Sequence, residues 1–182
     1  LMIDIGTNGE IVLGSRDGLL ACATAAGPAL EGAHIQCGLG GISGAINKVA
    51  LGDDGITVTT IGNRPARGIC GSGIVDAVAH MLRKGLVVSN GRMLTTEEGK
   101  ESLPDALANR IGEYGGKPCL SVVTEAEGAA TDIFITQRDI REIQLAKAAI
   151  AAGIRVLMEE RKIGFGDIGK VYLAGGFGNY IN

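Results

Sequence analysis

Two short glycine turns sit at opposite ends of this chain, and each follows an apolar run that reads as a buried strand. The first is Asp4-Ile5-Gly6-Thr7-Asn8, behind Leu1-Met2-Ile3. The second is Ala174-Gly175-Gly176-Phe177-Gly178-Asn179, behind Val171-Tyr172-Leu173. A strand that ends in glycine carries bare backbone amides up to whatever lies beyond it. Asp4 adds one carboxylate, which can hold a metal ion through water, and Thr7 and Asn8 can donate to phosphate oxygens. At Gly175, Gly176 and Gly178 a ligand, or the next helix, can approach the backbone more closely than a side chain would allow. With α/β sequence between them, the two turns imply a fold in which both ends of the chain meet at one cleft.

The rest of the chain supports that class. Residues 1–5, 10–15 and 18–24 read as three strands, with Arg16-Asp17-Gly18 as a hairpin turn. Segments 28–37 and 41–49 read as helical, and 55–61 alternates like a half-buried strand. Gly71-Ser72-Gly73 opens a helix over about 73–84, whose free amides can meet ribose or phosphate, although Ser72 is equally an ordinary helix cap. Residues 85–118 are glycine-rich and weakly patterned; they are expected as a surface insertion with a short helix near 96–108. Strands follow at 119–124 and 132–135. Thr136 and Asp139 form a capping box for a long helix to about Lys162, expected to be central and buried. Residues 170–174 form the strand that delivers Gly175. The expectation is a single α/β domain with a mixed sheet opened by an antiparallel meander.

Composition narrows the function classes. The 182 residues include 30 glycines and no Trp, and aromatics make up 3%, so small and branched aliphatic side chains must fill the core. The net charge is −3 and dispersed. No basic patch with interleaved aromatics argues for nucleic acid, and no apolar run is long enough to span a membrane. Cys22, Cys37, Cys70 and Cys119 are widely spaced, so neither a disulfide framework nor a cluster site within this chain is expected, and a reducing cytoplasm fits. His34 and His80 share no metal-ligand spacing.

The order of a D-x-G-T-N turn with a three-strand meander, a glycine turn into a helix, a long helix, a strand and A-G-G-F-G-N resembles one lobe of the actin-like (ribonuclease H-like) ATPases. The runs DIGTNGEIVLG, ACATAAGPALEGAHIQCG, RGICGSGIVDAV, ITQRDIREIQLAKAAI and VYLAGGFGNYIN narrow this. They resemble the C-terminal actin-like ATPase domain of the reductive activators of corrinoid proteins. The resemblance implies ATP or ADP with Mg²⁺ between two lobes, of which this chain is the second and the first is missing. It implies that Asp4 meets Mg²⁺ through water or orients the attacking water, and that Thr7 and Asn8, after Gly6, bind the β- and γ-phosphates. By the same resemblance Gly175, Gly176, Gly178 and Asn179 line the adenosine or its α-phosphate, and Glu31 is a carboxylate facing the cleft or the partner. The parent protein is expected to use ATP to reduce an inactive Co(II) corrinoid protein to Co(I) for methyl transfer. The partner is then a corrinoid protein or its methyltransferase, and the iron–sulfur cluster lies in another domain. A homodimer is compatible. The residues alone leave open a small-molecule kinase of the same superfamily, or a lobe that binds partners or dimerises without hydrolysing ATP.

Overall fold

A computed structural model describes residues 1–178. The chain begins with a meander, β1 (Met2–Ile5), β2 (Gly9–Ser15) and β3 (Gly18–Thr24), and one 3₁₀ turn follows at Pro28–Glu31. Next come β4 (Ala45–Gly52), β5 (Gly55–Thr60), the two-residue β6 (Gly68–Ile69) and helix α1 (Gly71–Arg83). Two short helices, α2 (Thr96–Ser102) and α3 (Asp105–Ala108), lead to β7 (Ile111–Tyr114), β8 (Lys117–Val123) and β9 (Ile133–Thr136). The long α4 (Gln137–Arg161), β10 (Tyr172–Ala174) and the single turn α5 (Gly175–Gly178) complete the described residues.

These strands build three sheets. The first has the order β10-β1-β2-β3, the second β5-β4-β6 and the third β7-β8-β9. In the first, β1, β2 and β3 are antiparallel neighbours, and β10 lies parallel to β1 with Met2 opposite Tyr172 and Asp4 opposite Ala174. The meander forms because Ser15 and Gly18 pair across a two-residue turn. The mixed sheet expected from the sequence is therefore present. As its edge strand, β10 leaves Tyr172 and Leu173 exposed.

Helix α4 lies across β2 and β3. Ile11 and Leu13 of β2 pack with Leu157 and Met158 of α4 to form one core. The approach is close enough that a Cβ on Gly153 would stand 2.7 Å from Ile11 Cδ1. A mid-helix glycine costs about 1 kcal/mol of helix propensity, and here it sets the distance between helix and sheet. The helix is not the buried centre its composition suggested. One stripe faces the first sheet and the first turns meet β8 and β9, while Leu145 and Val156 stay exposed.

Two other expectations fail for local reasons. Segment 41–49 is not helical: Ala45–Gly52 is the strand β4, paired with β5 around the turn at Asp53 and Asp54. Val49 and Leu51 alternate inward, and the span between Gly44 and Gly52 is too short for a helix to bury a face. Segment 28–37 makes only one turn, because Gly32 adopts φ +86° and ends it. A Cβ on Gly32 would sit 2.8 Å from the Leu39 carbonyl oxygen, so the chain folds back on itself there.

The second and largest core joins α1, the other two sheets and the stretch 85–118. Leu86, Val87, Met93 and Leu107 are buried in it beside Ile46, Ile74, Leu120 and Ile135. The expected surface insertion thus supplies core side chains. They sit one or two at a time between turns, which leaves no periodic signal in the sequence. Arg110, at the end of this stretch, forms a bidentate pair with Glu127, with Nη1 donating to Oε2 at 2.8 Å. Among the described residues no helix is long and apolar enough to cross a membrane.

The start of α4 ties the two cores together. Thr136 and Asp139 form the expected capping box, with the Thr136 amide and hydroxyl both donating to Asp139 Oδ2 at 2.8 Å. Asp139 Oδ1 accepts from the Gln36 amide at 2.8 Å. The carboxylate is 1% exposed, so each of these bonds replaces water that burial has removed. Asp139→Ala strands those donors and the helix start. It is expected to lower the unfolding free energy by about 2–4 kcal/mol in urea titrations.

Arg110 holds the Glu127 carboxyl down at about 2, below its ordinary 4.5. The unfolded chain therefore takes up a proton near pH 4.5 that the folded chain refuses until about pH 2. This contribution is complete above the higher value and fades as pH falls toward the lower one. The pair is partly exposed, so its worth is below about 1 kcal/mol. Urea titrations should find the stability gap between wild type and Glu127→Gln largest near neutral pH and closing toward about pH 2.

Candidate functional site

The parallel pairing of β1 with β10 sends both strands out at the same edge of the sheet. Asp4 and Ala174 are register partners, so the two glycine turns leave side by side. In open α/β sheets this carboxyl edge is where ligands bind. A cavity of about 890 Å³ lies there, between the first sheet and the β4–α1 layer. Its wall takes Asp4, Ile5 and Gly6 from the first turn, Gly176 and Phe177 from the second, and Gly71 and Ser72 from the start of α1.

Each turn is built around a close approach. Gly175 adopts φ +79°, and a Cβ there would collide with the Asp4 carboxylate. Glycine at 175 is thus what allows Asp4 to stand at the mouth of the cavity. By contrast, a Cβ on Gly176 would meet none of the described residues within 4 Å. At Gly71 a Cβ would strike the Leu30 carbonyl and come 2.6 Å from Phe177 Cε2, so three segments converge on that one residue. Gly73 serves packing instead: a Cβ would run into the Ile46 carbonyl and sit 2.9 Å from Ile69 Cγ1.

No side chain caps α1. Its first amides are left for water or a ligand, and the helix dipole there favours an anion. Ser72 does not act as the cap, because its buried hydroxyl donates to the Asn47 carbonyl at 2.9 Å. Asn47 is the extra residue of a bulge in β4, between Ile46, paired with Thr60, and Lys48, paired with Thr59. It lines the cavity, and its Oδ1 is buried with no hydrogen-bond partner among the described residues. Bulges of this kind re-aim side chains beside functional sites.

Thr7 and Asn8 are exposed beyond the end of β1 and are not part of the cavity wall. The Thr7 hydroxyl donates to Glu31 Oε2 at 2.8 Å, and Glu31 itself lines the cavity. The Asn8 carbonyl closes the turn by accepting from the Gly6 amide at 2.9 Å. Gly178 ends α5, and Asn179 lies outside the described residues. Asp167, which also begins a D-x-G by letter, caps a 3₁₀ turn by accepting from the Gly164 amide at 2.8 Å and does not line the cavity.

Sequence reasoning missed Asn47, which stands in a segment read as helical, and the walls at Gly40, Gly41 and Thr60–Gly62. Nothing in the spacing of Gly40, Gly41 and Gly62 tied them to the two terminal turns.

Among the described residues no three His, Cys, Asp or Glu side chains gather as a metal centre. The Asp4 carboxylate at the cavity suits a hard cation taking its other ligands from water and phosphate, whereas Glu31 is already bonded to Thr7. The cysteines do not fit an iron–sulfur cluster. They are all free and dispersed, and burial pushes the Cys37 and Cys119 thiols up.

Comparison with known proteins places the chain in a family. Residues 1–182 match the family described as the C-terminal domain of RACo, the ASKHA domain. The chain belongs to that family. It is 43% identical over 184 residues to the corrinoid activation enzyme RamQ of Eubacterium limosum, covering all of this chain and 30% of that protein. It is 26% identical over 204 residues to the [Co(II) methylated amine-specific corrinoid protein] reductase of Methanosarcina barkeri, again covering all of the chain and 32% of the relative. Among solved structures, a reductive activator for corrinoid, iron-sulfur protein superposes with a TM-score of 0.86 at 38% identity over the whole chain and 28% of the larger protein. The chain thus spans about a third of the length of the curated relatives it matches. The actin-like ATPase fold expected from the sequence is the fold of this family.

The contrast between the two adjacent glycines gives a test. Gly175→Ala is expected to cost about 2–3 kcal/mol, from left-handed backbone strain plus displacement of Asp4, whereas Gly176→Ala should stay within about 0.5 kcal/mol. Thermal unfolding of the two variants measures the difference.

Proposed function

We propose that this domain is the nucleotide-binding half of an ATP-dependent activator that reduces inactive Co(II) corrinoid proteins to Co(I) for methyl transfer. The observation that carries this reading is the shared cavity. The carboxylates of Asp4 and Glu31, two glycine turns and an uncapped helix start face it, in a chain that belongs to the activators' ASKHA family along its whole length. The relatives named for corrinoid activation and corrinoid reduction supply the partner class. The free cysteines suit a reducing, cytoplasmic setting.

In this reading the bare amides at Gly71 and Gly176 receive phosphate or ribose oxygens, and the apolar wall of Ile5, Leu30, Ile61 and Phe177 receives the flat, less polar part of the nucleotide. Asn47 Oδ1 is an acceptor in want of a donor. Asp4 would hold Mg²⁺ through water, and the ion would neutralise developing charge on the phosphates. A first lobe would close the cavity, and a cluster in another domain would carry the electron. Nucleotide binding then biases the activator between partner-docked and free states through its different affinity for each.

Calorimetric titration of the full-length protein with Mg-ADP and Mg-ATP tests this. Saturable binding is expected, weakened at least about tenfold in Gly176→Val, which adds bulk at the cavity wall where no described residue stands within 4 Å of the new Cβ. Unchanged affinity in that variant would remove the cavity from the nucleotide site. Asp4→Asn should retain binding while lowering ATP hydrolysis by about two to three orders of magnitude.

A further inference from the structure

The Thr7–Glu31 contact raises a problem of proton accounting. A threonine hydroxyl has one proton to donate. In this structure Thr7 gives it to Glu31 Oε2 at 2.8 Å. An ionised phosphate oxygen only accepts, so Thr7 cannot serve Glu31 and a phosphate at the same time. The carboxylate also occupies the approach. Glu31 lines the cavity, and its Oε1 lies 3.7 Å from where a Cβ on Gly6 would be, over the turn that follows Asp4. A phosphate drawn to that turn meets an anion that has already taken its donor.

The backbone holds Glu31 in this position. It is the last residue of the 3₁₀ turn Pro28–Glu31, fixed between Gly27 at φ +77° and Gly32 at φ +86°. Farther along the same segment, the Gln36 amide is bound to the buried Asp139. The Glu31 side chain itself is exposed, so it can turn into water without moving that backbone.

We propose that Glu31 is a latch on Thr7: it holds the hydroxyl while the site is empty and gives it up to a phosphate oxygen when Mg-ATP enters. This rests on the nucleotide reading of the cavity. Part of the binding free energy goes into breaking the latch, so the apparent affinity is lower than the open site would give. Glu31 is a positioning residue acting through Thr7, and it makes occupancy of the phosphate turn a discrete event with two hydrogen-bond states.

A double-mutant cycle on the full-length protein tests the latch, with Mg-ATP affinity as the readout and thermal unfolding as the check on folding. Glu31→Gln keeps the shape and removes the anion. It is expected to tighten Mg-ATP binding on the order of tenfold, the size of one charge-assisted hydrogen bond. In the Thr7→Val background the same change should gain less than about threefold, and Thr7→Ser should restore the full gain. Glu31→Ala should also tighten binding. An equal gain with and without the hydroxyl would overturn the latch, since simple charge repulsion would then account for it. So would unchanged or weaker binding in Glu31→Gln, the result if Glu31 holds the metal. Absence of binding in all variants, wild type included, would instead remove the nucleotide reading and the latch with it. That outcome is distinguishable from binding without coupling.

Discussion

The parallel pairing of Met2–Asp4 with Tyr172–Ala174 is the contact on which the rest of the site depends. It is short and lies at the sheet edge, yet it brings the two glycine turns side by side. Closing so long a loop is costly in entropy, though the cost grows only with the logarithm of loop length. The intervening chain meets it by burying two cores. One packs α4 on the meander and the other packs α1 on β4. The cavity is the seam between them, lined by residues from both sides.

That seam stays narrow because the structure uses missing side chains as spacers. Gly153 lowers α4 onto β2, Gly73 lowers α1 onto Ile46, and Gly71 admits Leu30 and Phe177 at one point. An alanine at any of these would push two layers apart rather than merely strain a turn. This accounts for a sequence rich in glycine and poor in aromatics: the fold depends on close backbone approach, with small aliphatic side chains filling what remains. Asp139 complements these spacers. It is a buried carboxylate whose hydrogen bonds tie the helix start to the loop behind Glu31.

What was legible in the sequence was whatever carried a local, periodic or capped signal. The meander, the α1 start at Gly71, the Thr136–Asp139 box and the terminal strand could all be read, and so could the convergence of Asp4 with Gly175. The errors came where one residue changed the geometry. Gly32 stops a helix that the composition of 28–37 would continue, and the Asn47 bulge breaks the alternation that would have marked β4. The burial of α4 was overread because alanines and isoleucines look alike on the covered and open faces. The core residues of 85–118 were underread because isolated apolar positions between turns have no period. The role of Asn47 could not have been found from spacing, since it depends on a tertiary bulge and on the Ser72 hydroxyl that pins it.

The edge position of β10 has a consequence for how the protein is made. In chain order the meander and Asp4 come first, and Tyr172 follows the elements that build both cores. Until that strand docks, Asp4 lacks its parallel neighbour and the second turn does not exist. A nascent or truncated chain lacking residues 172–176 can therefore hold most of its hydrophobic core without an intact pocket. Strand β10 and the turn α5 come last among the described elements, and the cavity wall is closed only once both have joined it.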